Sequence, residues 1–397
     1  MRISSLRYDN SCRRFSEVQE NVMGASKSKE GKVLSKPGEG GASAAASKPA
    51  KGVVIPEDTV PYPGLQVQYH LINVQVTMHS NIGFNFAPGT TMVSTNIDSY
   101  YPTLAQAYSE GYRLTTFYRI PGAAKQQGFM STAVNIPFQG IFTKFPAAPP
   151  SGENWQLKVD KSIMFVQHIR QGILSTSSMS QADTSDLLNK IMQHTASGGQ
   201  LVCVEMTGQA LSQGMSAAWT GMSAGMGVDL FFDIPTHPNP RRYVYQAVNV
   251  PINVSVSPGF PAGKIQVYCD WLGQMAAFLQ QGWRLVEIFL DQSGATQAHG
   301  FSASQALNSV WFFEKEASRI NDPRPVYEGT VIEYEHRIEA GFAQVHATPQ
   351  WDSVLFEMGK RGWELACILE TPEVRMTGFA KMKMKLLMFF QRKIPGM

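Results

Sequence analysis

Residues 360–369, Lys-Arg-Gly-Trp-Glu-Leu-Ala-Cys-Ile-Leu, indicate the end of a helix, a glycine stop and an immediate strand. A glycine takes the left-handed backbone conformation that ends a helix without the steric penalty of a Cβ. After it, apolar residues occupy every second position from Trp363 to Leu369, which is the period of a half-buried strand. The stretch therefore predicts a helix-to-strand turn at Gly362.

The same passage occurs three more times in the chain. Gly282 and Gly111 are each followed by an aromatic residue, an arginine and a leucine, and a weaker copy follows Gly198. The four glycines are spaced 87, 84 and 80 residues apart. This near-constant spacing predicts an internal repeat of four units.

Each unit is predicted to contain a strand, a helix, the strand after the glycine, and a last strand. The helices are predicted at 99–110, 184–195, 264–281 and 350–361. Each β-α-β step is expected to be a right-handed crossover that makes parallel neighbours, and the last two strands are expected to form a hairpin. The predicted fold class is α+β, with four β-α-β-β units arranged as two pairs, 62–240 and 241–397, in mixed sheets with helices on one face.

One stretch interrupts the second unit. The 23 residues from Met206 to Val228 carry no charge and are rich in Gly, Ala, Ser and Met. Five glycines and several polar residues argue against a membrane-spanning helix. We interpret about 208–227 as a mobile insertion.

The amino-acid composition limits the classes of protein to which this chain can belong. The chain has 397 residues, 43% hydrophobic and 16% charged, with a net charge of +3, so a globular protein is expected and nucleic acid is not favoured as a partner. Four scattered cysteines without a C-x-x-C pair indicate buried thiols in a reducing compartment.

Residues 1–61 are predicted to be a disordered basic arm. Within it, 23–28 match the N-myristoylation pattern M-G-x-x-x-[ST], which predicts Gly24 as a lipid attachment site. The match requires Gly24 to become N-terminal, by translation from Met23 or by removal of residues 1–22. The alternative is a chance match within a linker rich in Lys, Ser and Gly.

Lysines within and just after the motif are expected to provide a second membrane signal. A single myristoyl chain gives a binding constant of only about 10⁴ M⁻¹, and each basic residue near an anionic leaflet adds about 1 kcal/mol. The lysines proposed for this electrostatic role are Lys27, Lys29, Lys32 and Lys36. The predicted partners of the arm are anionic membrane lipids.

No catalytic, cofactor or metal site is predicted. Residues Gly221–Gly225 match G-x-S-x-G, but that motif requires a buried strand before the serine and a helix after it, and neither is predicted here. The histidines show no H-E-x-x-H spacing, and there is no Walker A loop. Alternating Lys and Met from Lys381 to Lys385 indicate an exposed edge strand, or alternatively a second patch for anionic lipid.

Four stretches carry a resemblance to a known family: Gln280–Leu285, Val310–Glu314, Gly362–Pro372 and Phe390–Arg392, with further similarity at Tyr108–Leu114 and Gly198–Val204. Through these residues the chain resembles the raftlin family. The similarity spans about 62–397 and is strongest in the last third. The resemblance implies an acylated protein of the inner plasma-membrane leaflet, enriched in lipid rafts, that supports receptor signalling or uptake without catalysis.

The resemblance also implies two lipid sites, a glycine after the initiator methionine and a cysteine directly after it. Gly24 matches the first, whereas Ala25 occupies the second place. The sequence therefore predicts a non-enzymatic, peripheral, lipid-anchored scaffold on the cytoplasmic face of the plasma membrane, with a cytosolic pool allowed and with receptor or endocytic proteins as further partners. The alternative is a soluble ligand-binding or serine-hydrolase-like α+β protein.

Overall fold

The computed structural model describes most of the chain after residue 52. The described residues are 53–55, 58, 61–81, 92–122, 124–126, 133–146, 154–170, 177–212, 223–237, 242–257, 264–299, 302–340, 344–347, 349–378 and 381–396.

Four consecutive segments share one order of elements: a long strand, a short strand, a helix and two further strands, and the first segment has an additional short strand between its last two. The first segment contains β1 (Gln68–Asn81), β2 (Met92–Thr95), α1 (Tyr101–Gln106), β3 (Arg113–Arg119), β4 (Ala124–Gln126) and β5 (Ala133–Lys144). The second contains β6 (Trp155–Arg170), β7 (Ser177–Asp183), α2 (Ser185–Ala196), β8 (Gln200–Ser212) and β9 (Ser223–Pro235). The third contains β10 (Tyr243–Ser257), β11 (Lys264–Tyr268), α3 (Trp271–Leu279), β12 (Arg284–His299) and β13 (Ser302–Glu316). The fourth contains β14 (Tyr327–Ala340), β15 (Gln344–His346), α4 (Asp352–Lys360), β16 (Glu364–Gly378) and β17 (Lys381–Lys393).

The α+β class is confirmed, but the predicted parallel pairing is wrong. Every pair of neighbouring strands in the described residues is antiparallel. In the first segment β1 and β3 do run in the same direction, but β5 lies between them and pairs with both. The connection through the helix therefore places β3 two positions away from β1 in the sheet, and β5, the last strand of the segment, lies between them.

The strands form two sheets that join distant parts of the chain. The nine-stranded sheet has the order β16-β17-β14-β15-β4-β5-β1-β2, with β3 also paired to β5. The eight-stranded sheet has the order β11-β10-β13-β12-β7-β6-β9-β8. Each sheet thus takes strands from both sides of residue 240, while the division into 62–240 and 241–397 stays a prediction.

The short second strands are absent from the sequence prediction. In the third segment the predicted helix 264–281 covers 264–268, but these residues pair with β10 as β11. The helix begins only at Trp271, because the side chain of Asp270 accepts a hydrogen bond from Gly273 N at 3.0 Å and so caps its first turn.

The predicted glycine turns are confirmed. Gly111, Gly198, Gly282 and Gly362 have φ of +81°, +89°, +80° and +77°, the left-handed conformation expected of a glycine stop. Each turn delivers the chain directly into β3, β8, β12 or β16.

The strands after these glycines meet at the centre of the molecule. Contacts run in a cycle from β3 to β8, to β12, to β16 and back to β3. Four hydrophobic clusters fill the space between neighbouring segments, and each draws its buried side chains mainly from two of them. The cycle therefore lets every segment bury both of its apolar flanks.

The uncharged stretch of the second segment is mostly strand where it is described. β8 continues to Ser212 and β9 starts at Ser223, so 208–212 and 223–227 form paired strands rather than a mobile loop. Residues 213–222 lie outside the described residues.

Candidate functional site

The predicted lipid site and its lysines precede the described part of the chain. Gly24, Lys27, Lys29, Lys32 and Lys36 all lie outside the described residues. The structure instead shows how the end of the predicted arm meets the folded body.

Apolar residues near the end of the arm pack on the body. Val53 and Ile55 lie against the hydrophobic cluster between the first and fourth segments. Asp58 accepts hydrogen bonds from Nη1 and Nη2 of Arg392 at 3.0 and 2.8 Å. These hydrogen bonds hold the pKa of Asp58 below its ordinary value.

Arg392 is the centre of this attachment. Its guanidinium carbon lies 4.4 Å from the ring centroid of Tyr62 and 4.2 Å from that of Trp363. It also donates to Glu328 Oε1 at 2.6 Å, and its side chain is only 9% exposed. Arginine held between aromatic faces and carboxylates is well suited to fix a crossing segment. The arm therefore leaves the body beside Trp363, at the end of the molecule that carries the glycine turns, which we call the glycine end.

At the centre of the molecule, backbone N–H groups of one segment donate hydrogen bonds to side chains of a neighbouring segment. Each strand after a glycine has a bulge just beyond its leucine, as between Leu365 and Cys367 in β16. The N–H groups of these leucines donate to side chains, three of which belong to a different segment. The pairs are Leu114 to Tyr108 Oη (3.2 Å), Leu201 to Tyr245 Oη (3.0 Å), Leu285 to Gln391 Oε1 (3.0 Å) and Leu365 to Tyr69 Oη (2.7 Å).

We expect Tyr69→Phe to lower the free energy of unfolding by about 2–4 kcal/mol. The buried Tyr69 hydroxyl also donates to Trp363 O at 2.9 Å, so its loss leaves a backbone N–H and a C=O unpaired between the first and fourth segments. Urea unfolding of the two proteins measures the difference. Tyr100→Phe is the matched control, since its exposed hydroxyl makes one bond to Gln75 O, and it should change stability by less than about 1 kcal/mol. Equal effects of the two variants would contradict the structural role of Tyr69.

Polar side chains surround a cavity of about 160 Å³ at the glycine end. Arg284 donates to Glu314 Oε1 at 2.7 Å and to Glu364 Oε1 at 3.1 Å. Arg113 donates to Gln200 Oε1 at 2.6 Å and also pairs with Asp233. Both arginines are thus neutralised by carboxylates, which favours a role in joining segments over capture of an anion.

Glu287 lies buried where the four central strands meet. Its carboxylate accepts from Ile288 N at 2.8 Å and from Val204 N at 3.4 Å, and burial raises its pKa to about 8. Burial, with Glu287 nearby, also raises the pKa of the Cys203 and Cys367 thiols well above the ordinary value. These thiols are therefore protonated at neutral pH and unsuited to nucleophilic chemistry.

The lysines of 381–385 are paired rather than free. Lys381 contacts Glu339 at 2.9 Å, Lys385 contacts Glu333 at 3.2 Å, and Lys383 pairs with Glu335. Their strand β17 lies between β14 and β16, so it is not an edge strand as the sequence indicated. The glutamates neutralise this face, which removes the basis for a second lipid patch there.

The G-x-S-x-G match does not have the context of a nucleophile elbow. Ser223 begins β9, which continues as a strand to Pro235, and no helix follows it directly. Residues 221 and 222 lie outside the described residues.

Comparison with known proteins identifies the family of this chain. A family model described as Raftlin matches residues 157–395, which is more than half of the chain. The chain belongs to the raftlin family. The match covers the second, third and fourth segments, and leaves the arm and the first segment outside it.

Individual raftlins are distant relatives. Raftlin of Homo sapiens is 25% identical over 173 residues, which cover 43% of this chain and 28% of the human protein. Raftlin of Gallus gallus is 23% identical over 201 residues, covering 50% of this chain and 31% of the chicken protein. The matched region thus spans less than a third of these raftlins. No solved structure matches the chain.

Among the described residues, no helix is long and apolar enough to cross a bilayer.

Proposed function

We propose that this raftlin-family chain is a raft-associated membrane protein that acts as a non-enzymatic scaffold for receptor signalling or uptake. Membership of the family is the observation that carries the proposal. In this proposal Gly24 is lipid-linked, Lys27, Lys29, Lys32 and Lys36 contact anionic lipids, and the protein lies on the cytoplasmic face of the plasma membrane. Receptor or endocytic proteins are its further partners.

The segment between Gly24 and the point where the arm packs on the body is long enough to act as a membrane tether. The chain from Gly24 to Val53 would span about 30 Å as a flexible coil and about 95 Å when extended. The 15 residues of β16 measure about 50 Å along the strand. A lipid at Gly24 could therefore hold any side of the body at the membrane surface.

We expect Gly24→Ala to reduce the membrane-bound fraction by about tenfold in a protein translated from Met23. A single acyl chain supplies most of the apolar contribution to binding, and the remaining lysines alone bind weakly. Fractionation of cells that express the two proteins measures the change. Gly31→Ala is the matched control, since it lies in the same arm outside the motif, and it should leave the fraction unchanged.

Unchanged membrane association of Gly24→Ala would contradict the lipid anchor. The serine-hydrolase alternative makes a separate prediction, that Ser223→Ala abolishes an esterase activity. No contact of the described residues favours that alternative.

A further inference from the structure

The cavity at the glycine end lies where all four segments meet. Every segment lines it with the second, third and fourth residues after its glycine stop. The second residues are polar in each segment: Arg113, Gln200, Arg284 and Glu364. The third residues are the leucines at which the strands bulge: Leu114, Leu201, Leu285 and Leu365. The fourth are the bulge residues: Thr115, Val202, Val286 and Ala366. The cavity is therefore built from one polar layer and two mainly apolar layers.

The polar layer is open to solvent, whereas the apolar layers are buried. The side chains of Arg113, Arg284 and Glu364 are 36%, 24% and 18% exposed. The four leucines are buried, as are the four bulge residues, of which only Thr115 is polar. The volume of about 160 Å³ is close to that of cavities of roughly 150 Å³ that hold one benzene molecule. The cavity thus fits a small molecule with a polar group at its mouth and a short apolar part inside.

Lys144 supplies an unmatched positive charge to this lining. Its ammonium donates to Glu110 O at 2.7 Å and lies 5.3 Å from the ring centroid of Tyr112, and no carboxylate of the described residues pairs with it. The two carboxylates that line the cavity, Asp233 and Glu364, are each paired with an arginine instead. Two N–H groups of Lys144 therefore remain for a ligand.

Arg113 joins segments through only part of its guanidinium. Its Nε donates to Asp233 Oδ2 at 2.7 Å, and its Nη2 donates to Gln200 Oε1 at 2.6 Å and also to Asp233. The guanidinium carbon lies 4.4 Å from the ring centroid of Trp155, so stacking holds the group in place. Among the described residues Nη1 has no acceptor, which leaves two further N–H donors at the cavity.

We propose that this cavity binds a small monocarboxylate, with its carboxylate on Lys144 Nζ and Arg113 Nη1 and its short apolar part against the leucine and bulge layers. One unmatched cation fits one negative charge, which favours a carboxylate over a phosphate dianion. Because such a ligand contacts all four segments, its binding also stabilises their assembly. The site goes beyond the proposed function and does not depend on the arm or its lipid.

Isothermal titration of the full chain, produced without acylation, with sodium butyrate and with butyramide tests the site. Butyramide has the same apolar part but no charge. We expect saturable binding of butyrate, with about tenfold weaker binding of butyramide and about tenfold weaker binding of butyrate to Lys144→Gln. Lys360→Gln is the matched control, since it removes one lysine charge on α4, paired with Glu357 at 3.5 Å, and it should bind butyrate as the wild type does.

Four results would overturn the proposal. They are the absence of saturable butyrate binding, equal affinities for butyrate and butyramide, unchanged butyrate binding in Lys144→Gln, and competition of inorganic phosphate with butyrate at equal ionic strength. If Lys144→Gln fails to fold, methyl resonances of the wild type decide. Butyrate should shift those of Leu114 and Leu365 and leave those of Leu104, which lies outside the cavity lining, unchanged.

Discussion

Replacing Gly362 by valine should lower the free energy of unfolding by about 3 kcal/mol or more. The φ of +77° is strained for any residue with a Cβ, and an added Cβ would lie 2.2 Å from a ring carbon of Tyr62 and 2.9 Å from Leu65 O. The change therefore disturbs both the glycine turn and the packing of Tyr62 and Leu65, directly after the arm, against it. Urea unfolding followed by circular dichroism measures the loss.

The variant Gly111→Val distinguishes the effect of backbone strain at a positive φ from the effect of a steric clash with the added side chain. Gly111 has nearly the same φ, +81°, but the nearest atoms to an added Cβ belong to the end of the Lys144 side chain at 3.4 Å. We expect this variant to lose only the strain component, about 1–2 kcal/mol. A loss for Gly362→Val no larger than that for Gly111→Val would contradict the close approach of Tyr62 and Leu65 to this turn.

The protein should become less stable as the pH rises above about 4.5, because burial raises the pKa of several carboxyl groups, among them Glu287, Glu205 and Glu370. The pKa of Glu287 is about 8 in the folded protein and has an ordinary value of 4.5, so between these values the folded state binds more protons than the unfolded state. The contribution of Glu287 to stability then falls with rising pH, by about 5 kcal/mol over the whole interval. Denaturant unfolding at pH 5, 6, 7 and 8 measures the slope.

Glu287→Gln should reduce that slope by the contribution of Glu287 and leave the contributions of Glu205 and Glu370. The amide oxygen can replace Oε1 as the acceptor for Ile288 N, while the contact of Oε2 with Val204 N, which is longer at 3.4 Å, is lost, and the amide group does not ionise. Glu333→Gln, at an exposed carboxylate paired with Lys385, is the control and should keep the wild-type slope. An unchanged slope in Glu287→Gln would show that Glu287 is ionised in the folded protein at neutral pH.

The local elements of the fold could be predicted because their signals lie within a few residues. Gly362 and the alternation after it specify a helix stop and a strand, and the structure has both. The strand β11 was missed because the cap at Asp270 was not recognised, so a helix was extended backward over Lys264–Tyr268. Short strands of three to seven residues carry too little periodicity to be recognised alone.

The arrangement of the segments could not be predicted from such local patterns. The contact of Val67 N with Gly359 O and the pairing of Lys125 with Gln344 join residues more than 200 positions apart. The position of β5 between β1 and β3 depends on the same kind of long-range pairing, and it is what made the expected parallel neighbours wrong.

The residues of the candidate site also differ in how far the sequence alone could predict them. Gly24 and its lysines form a contiguous motif, so the sequence predicted them without a structure. Arg392 belongs to no motif, and its role depends on Tyr62 and Asp58, which lie more than 300 positions away. Glu287 also belongs to no motif, and its raised pKa results from burial among strands of different segments.

The claim that the arm anchors this raftlin-family protein to a membrane is tested most directly by the intact mass of the endogenous N-terminal peptide. The account predicts a peptide that begins at Gly24 and carries one saturated acyl chain on its amino group. A mature chain that begins at Met1, with Gly24 internal and unmodified, would contradict it.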